Sequence, residues 1–282
     1  MLRFVNRHPP RINEMHHVCM QMQTRCIMLV PSLSTRQVAA LLGRATTTVT
    51  HAVADRRRGS GRGRPAALRC GPPVRPRPKN PPQPPSTLQT RPEDILTVDR
   101  AELVRIVFAA SRFPLPWGEM RTWGPHPRCR WDPHPLPTGE HPDCGVLYTA
   151  GDLLTCAAEV FADTRVIDTR SDMPLLQVWE ATRPLRLLDL TSTWALRNGA
   201  SVSLDSARRS TGRAWARAIR VQLPDIDGLR TRSTMTGDDM TVLFSPARDS
   251  VPALPQHAEP LVDATIYALL TVLAPEIGYE IV

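Results

Sequence analysis

The chain has 282 residues, 41% of them hydrophobic, with 29 prolines, six cysteines and a formal net charge of +8. That size supports one large domain or two small ones, and no run approaches the roughly 18 consecutive apolar residues of a membrane-spanning helix. The cysteines are scattered without a CxxC pair, and the apolar run from Ile27 to Val30 is too short for a signal peptide, so composition predicts a cytoplasmic protein with reduced thiols.

Residues 1–30 crowd Met15, Met20, Met22 and Met28 with His16, His17, Cys19 and Cys26. Little order is expected there, as in upstream sequence translated from a start assigned too early. Residues 31–55 are periodic. Ser34 can cap an amphipathic helix over Thr35–Leu42, Gly43 breaks it, and Thr46–Val53 starts a second, shorter helix. The order resembles a helix-turn-helix hairpin. A helical hairpin without a DNA role fits the same pattern.

Residues 56–92 read as a linker. Arg-Gly alternation gives way to Pro-Arg alternation and then to Pro81-Pro-Gln-Pro-Pro85. Such sequence cannot bury a core and is expected to be extended and mobile. Arg56, Arg57, Arg58, Arg62 and Arg64 face one nearby acid, Asp55. Any DNA binding would therefore lie in residues 33–80, be weak, and rest on sequence-blind phosphate contacts.

The body is expected over residues 93–282. Val104–Phe108 reads as a strand, Phe113–Pro142 as a long loop rich in Pro, Trp and His, and Val146–Ala150 as a second strand. Asp152 caps a helix running to Phe161. Leu175–Glu180 and Arg186–Leu190 are strand-like, Leu204–Arg220 is helical with Trp215 inward, and Gly228–Arg232 and Thr241–Phe244 are strands around a Gly237-Asp-Asp239 turn. Leu261–Leu273 is a terminal helix. Short strands mixed with helices make an α+β domain.

Several polar residues stand out against this background. Glu159 falls in a helix among Ala157, Ala158, Val160 and Phe161, where a carboxylate is either solvated or a buried acid with a task, and the apolar surroundings favour the second. Arg105 interrupts an apolar strand. Tyr148 lies near a strand end beside a turn, and in a core it would be an aromatic with a wet hydroxyl. Cys129, His134, His141 and Cys144 fit no common zinc spacing, so no metal is expected.

The ordered set of motifs resembles the RES domain family, whose name records an Arg, a Glu and a Ser. Val104-Arg105-Ile106 is similar to the family's opening strand, and Arg130-Trp131-Asp132 to its Arg-Phe-Asp segment, with Trp in place of Phe. Gly145-Val-Leu-Tyr148-Thr-Ala150 with Ala158-Glu159-Val160 resembles the Tyr and Glu block, and Asp227-Gly-Leu-Arg-Thr-Arg-Ser233 with Val242-Leu243-Phe244 the Ser block. The resemblance implies a fold related to ADP-ribosyltransferases, a mixed sheet with flanking helices. It implies NAD as substrate, cleaved between nicotinamide and ribose, with phosphate, water or a protein side chain as acceptor. Arg105 and Arg130 would then hold NAD phosphates. Tyr148 would stack on nicotinamide or bond a ribose. Glu159 would stabilise an oxocarbenium ion, and Ser233 would fix Glu159 or bind the nicotinamide amide. The family's operons imply an antitoxin protein as partner. The rival reading is a DNA-binding regulator acting through residues 33–80 with an inert body.

Overall fold

The computed structural model describes residues 77–282. The hairpin expected over 31–55 and the linker up to residue 76 lie outside the described residues. In chain order the elements are β1 (Ile95–Val98), β2 (Glu102–Phe108), β3 (Trp123–Gly124), β4 (Gly139–Glu140), β5 (Val146–Ala150), α1 (Leu153–Val160), β6 (Val166–Ile167), β7 (Pro174–Glu180) and β8 (Leu185–Asp189). There follow α2 (Trp194–Arg197), α3 (Arg209–Gln222), β9 (Gly228–Arg232), β10 (Asp239–Phe244), β11 (His257–Pro260), α4 (Ala264–Leu273) and β12 (Glu280–Ile281).

Eight strands form one mixed sheet in the order β1-β8-β9-β10-β5-β2-β7-β11. Only β8 and β9 run parallel within it. Helices α1 and α4 pack on Val104, Ile106, Leu176 and Val178 of one half. Helices α2 and α3 cover the other half through Trp194 and Trp215, whose rings meet edge to face at 5.9 Å. Leu103, Trp179, Leu187 and Leu243 build a third apolar cluster with Met120. This is the α+β mixed sheet with flanking helices that the sequence implies.

The central joint of the sheet is weak. β2 pairs with β7 over seven residues and β5 with β10 over five, but β2 and β5 pair only at Val104–Ala150. Beyond that pair the backbones of Arg105–Phe108 and Val146–Thr149 part, and a cleft opens between the two half-sheets.

One expectation changes and one strand is new. The mainly helical stretch over Leu204–Arg220 is divided into a 3-10 turn, Val202–Ser206, and α3. Ala207 between them is extended, and the Asp205 carboxylate is drawn sideways to accept the Thr231 hydroxyl at 2.6 Å. The strand β11, His-Ala-Glu-Pro, carries no β-branched or aromatic side chain and gives no strand signal. It forms as an edge strand, where a proline is tolerated.

The segment read as linker also differs over residues 77–92. It lies along α2, α3 and the 3-10 turn. Trp215 Nε1 donates to the Pro81 carbonyl at 3.0 Å and Trp194 Nε1 to Thr90 Oγ1 at 3.0 Å. The Asn80 side chain donates to the Ser203 carbonyl and accepts from Ser201 N, and Asn198 brackets the Gln89 backbone. Prolines that cannot build a core can still supply carbonyls to buried indoles. A chain beginning at Arg91 leaves both indole N–H groups without partners, at a cost on the order of 2–4 kcal/mol. Its melting temperature should fall by roughly 5–15 °C relative to a chain beginning at Arg77. Equal melting temperatures in a thermal scan of the two chains would show that this strap contributes nothing.

Candidate active site

The cleft between the half-sheets has a volume of about 350 Å³. Arg105 and Ile106 line it from β2, and Tyr148, Thr149 and Ala150 from β5. Helix α1 adds Cys156, Glu159 and Val160, which share one helix face by their i, i+3, i+4 spacing. That helix is fixed at its start by Asp152, whose carboxylate accepts the Thr155 N–H at 2.7 Å, as its sequence predicts for an N-cap.

Glu159 is half-buried at the wall rather than enclosed among the alanines beside it. Its Oε1 accepts from Ser233 Oγ at 2.6 Å, from Thr234 N at 2.8 Å and from Thr234 Oγ1 at 3.4 Å. The direction of the first bond is fixed. Ser233 Oγ itself accepts from Met235 N at 3.0 Å and Thr236 N at 3.1 Å, so its only proton goes to the carboxylate. Ser233 is buried and sits in the turn after β9. One carboxylate oxygen is thus held by three donors, while Oε2 makes no hydrogen bond to any described residue. A carboxylate held in this way keeps one oxygen free for an external cation or a developing positive charge.

Arg105 is only 5% exposed. Its Nε donates to Gln177 Oε1 at 2.7 Å, from the residue directly opposite on β7, and its guanidinium lies 5.9 Å from the rings of both Trp117 and Trp179. Burial lowers its pKa to about 10, so it is still a cation at neutral pH. Arg130 reaches the same cleft from the Pro- and His-rich loop, and burial followed by the nearby Arg209 charge pulls its pKa down. Tyr148 is pushed well above the usual phenol range, first by burial and then by the charges of Cys129 and Asp132. Arg105 Nη2, Arg130 Nη1 and the Tyr148 hydroxyl are all buried without a hydrogen-bond partner. Buried polar atoms are seldom left in that state, and three from side chains lining one cleft point to a polar ligand that would satisfy them.

All of the sequence-derived candidates therefore converge. Arg105, Arg130, Tyr148 and Glu159 line the cleft, and Ser233 stands behind Glu159. Sequence reasoning missed Arg128, Arg209 and Arg232, which bring the lining arginines to five against one acid, Glu159. It did not single out Thr234, whose N–H and hydroxyl also hold Glu159. One cue for Arg209 was present. An Arg208-Arg209 pair opens α3 with no side-chain cap and no acid in the first turn, and cations at that end of a helix oppose its dipole unless an anion is near.

His134 of the loop takes part in a buried polar network around Asp132. His134 Nδ1 contacts the fully buried Asp132, whose other oxygen accepts from Arg121 Nη2 at 2.9 Å and His126 N at 2.6 Å. Those contacts hold Asp132 well below the usual carboxylate range against the opposing effect of burial. Among the described residues no three His, Cys, Asp or Glu side chains come together as a metal site. No helix among them is long and apolar enough to cross a membrane.

A family model described as the RES domain matches residues 88–263. A solved structure of the M. tuberculosis MbcT–MbcA toxin-antitoxin complex is similar at 17% identity and a TM-score of 0.43, covering 62% of this chain and 92% of that one. No protein with a curated description matches the chain.

Proposed function

The chain belongs to the RES domain family, and from that premise we propose that it is an enzyme that cleaves the nicotinamide–ribose bond of NAD. The observation that carries this reading is the free oxygen of Glu159, oriented by Ser233 and Thr234, in a cleft with unpartnered Arg105, Arg130 and Tyr148 atoms. NAD carries a pyrophosphate, which matches guanidinium donors. Arg105 and Arg130 bind it and so orient the nicotinamide ribose. The C1′–N bond breaks with its electron pair going to nicotinamide, which leaves neutral. The positive charge left on the ribose is stabilised by Glu159 Oε2. Tyr148, kept protonated, donates its hydroxyl to the substrate. The acceptor then attacks C1′ and loses its proton. Phosphate, water and a protein side chain all satisfy that balance.

The same family membership supports a toxin restrained by an antitoxin protein. The regulator alternative rests on the hairpin-like pattern and basic tract within residues 33–80, of which residues 33–76 lie outside the described residues. Incubating the purified full chain with NAD, with and without phosphate, tests the proposal through free nicotinamide. Release that is absent under both conditions sinks it. Growth arrest on expression in a bacterial host that persists unchanged in Glu159→Gln would sink the link from cleavage to toxicity.

Ser233→Ala should lower kcat and leave KM almost unchanged. The variant removes one of three donors to Oε1 but no group expected to touch NAD. A hydrogen bond to a charged group contributes about 1.5–3 kcal/mol, so the loss should be roughly ten- to a hundredfold. A rise in KM at constant kcat would instead assign Ser233 to substrate binding, as in a bond to the nicotinamide amide.

A further inference from the structure

Helix α3 carries Arg209, Gly212 and Arg213 on one face, at i, i+3 and i+4. The first lines the cleft, and the other two press against the loop that delivers Arg128 and Arg130. Arg213 Nη1 donates to the Pro127 carbonyl at 2.8 Å and the Cys129 carbonyl at 3.2 Å, and reaches that of His126 at 3.5 Å. Gly212 is tight against the next residue. A Cβ there would fall 2.5 Å from Arg130 Cγ and 2.7 Å from the Arg130 carbonyl oxygen. The loop backbone therefore lies on the helix with no room for a side chain between them, and one guanidinium gathers its carbonyls.

The loop has a second, separate fastening. Asp132 ties it to itself through His126 N, Arg121 and His134. That network closes the loop upon itself. Its seat on α3 is made by the buried Trp131, which packs in the cluster of Trp215 and Ala216, and by the contact of Arg213 with the carbonyls on the other side of Arg130. We infer that Arg213 is a positioning residue that sets Arg130 in register with Arg209, so that the cationic end of the cleft is preassembled before a ligand arrives. The inference rests on the reading of the cleft as a dinucleotide site. Arg130 lies on an irregular stretch outside any strand, and an anion-binding arginine so placed needs such an anchor, because small displacements of a charged fork cost binding steeply.

The consequence is specific. With Asp132 still closing the loop, removal of Arg213 should leave the fold in place and blur the position of Arg130. The full chain and its Arg213→Ala and Arg213→Lys variants are titrated with ADP-ribose, which carries the pyrophosphate but no scissile nicotinamide bond, and assayed for nicotinamide release from NAD. Arg213→Ala should weaken ADP-ribose binding and raise KM by roughly ten- to a hundredfold, while kcat at saturation stays within about twofold. Lys should recover part of the affinity, since its ammonium can donate to the same carbonyls that Arg213 Nη1 now gathers, but on a more flexible, differently shaped stem. Amide hydrogen exchange over 126–131 should quicken in Arg213→Ala. Unchanged KM and ADP-ribose affinity, or a fall in kcat with KM held, overturns the inference. If the unmodified chain binds no ADP-ribose and releases no nicotinamide, the dinucleotide reading fails. The exchange measurement then decides the anchor alone, and unchanged protection over 126–131 overturns it.

Discussion

Replacing Glu159 by Gln is expected to reduce nicotinamide release by roughly 10²–10³ in kcat, the range seen when one preorganised electrostatic group is removed from a transition state. The substitution keeps size and shape. The new amide still offers an oxygen to Ser233 Oγ and Thr234 N, the donors that now hold Oε1 at 2.6 and 2.8 Å. What disappears is the charge on the second oxygen, the one that no described residue engages. KM should change less than kcat, because the positive charge sits on the nicotinamide ring in the ground state and moves onto the ribose at C1′ only as the bond breaks. Thermal unfolding should stay close to that of the unmodified chain, since the residue is half-buried and its donors stay paired. A variant that turns over at near the original rate would remove Glu159 from the chemistry. A variant that fails to fold would be separated from this case by Glu159→Asp, which keeps the charge and shortens its reach.

The second large effect is expected at Arg105. Arg105→Ala should weaken ADP-ribose binding by about 2–3 kcal/mol, the cost of deleting one partner of a desolvated charged contact, which is roughly thirty- to a hundred-and-fiftyfold in Kd. Arg105 lies between Trp117 and Trp179, spends its Nε on Gln177, keeps Nη2 without a partner and lines the cleft. Lys should restore only a fraction. A single ammonium cannot both satisfy Gln177 and reach a phosphate oxygen as the guanidinium fork does. Isothermal titration of both variants checks this. An Ala variant that binds ADP-ribose as tightly as the unmodified chain would make Arg105 a structural cation whose unpartnered Nη2 faces no ligand.

The block from Gly145 to Phe161 was legible because its information is local. A short run of strand-forming residues ending at a turn made β5, Gly151 and Asp152 made the turn and cap, and the helical period then placed Glu159 on the same face as Cys156 and Val160. Arg105 was legible for a related reason, since a charge inside an apolar strand is an anomaly visible at one position. Ser233 was visible only through the resemblance. Nothing near it in sequence says that its hydroxyl will meet a carboxylate 74 positions away. Arg130 could be named from its motif, but its place in the cleft depends on a loop that lacks periodicity and is seated by Arg213 and Gly212 of another element.

The strap over 77–92 marks the opposite limit. Its composition correctly excludes a core of its own, because prolines bring no backbone N–H and little clustered apolar surface. Composition is silent on whether some other part of the chain needs a carbonyl, and here the indoles of Trp194 and Trp215 do, across 104 and 134 positions. The sequence by itself determined the class of fold, the strand–turn–helix that carries Glu159 and Tyr148, and the identity of the charged residues available for chemistry. Those follow from short-range periodicity, capping and the cost of burying charge. Only the tertiary structure decided which of them meet. The convergence on one cleft arises where β2 and β5 stop pairing after Val104 and Ala150, and strand pairing is a long-range hydrogen-bond choice that no local pattern encodes.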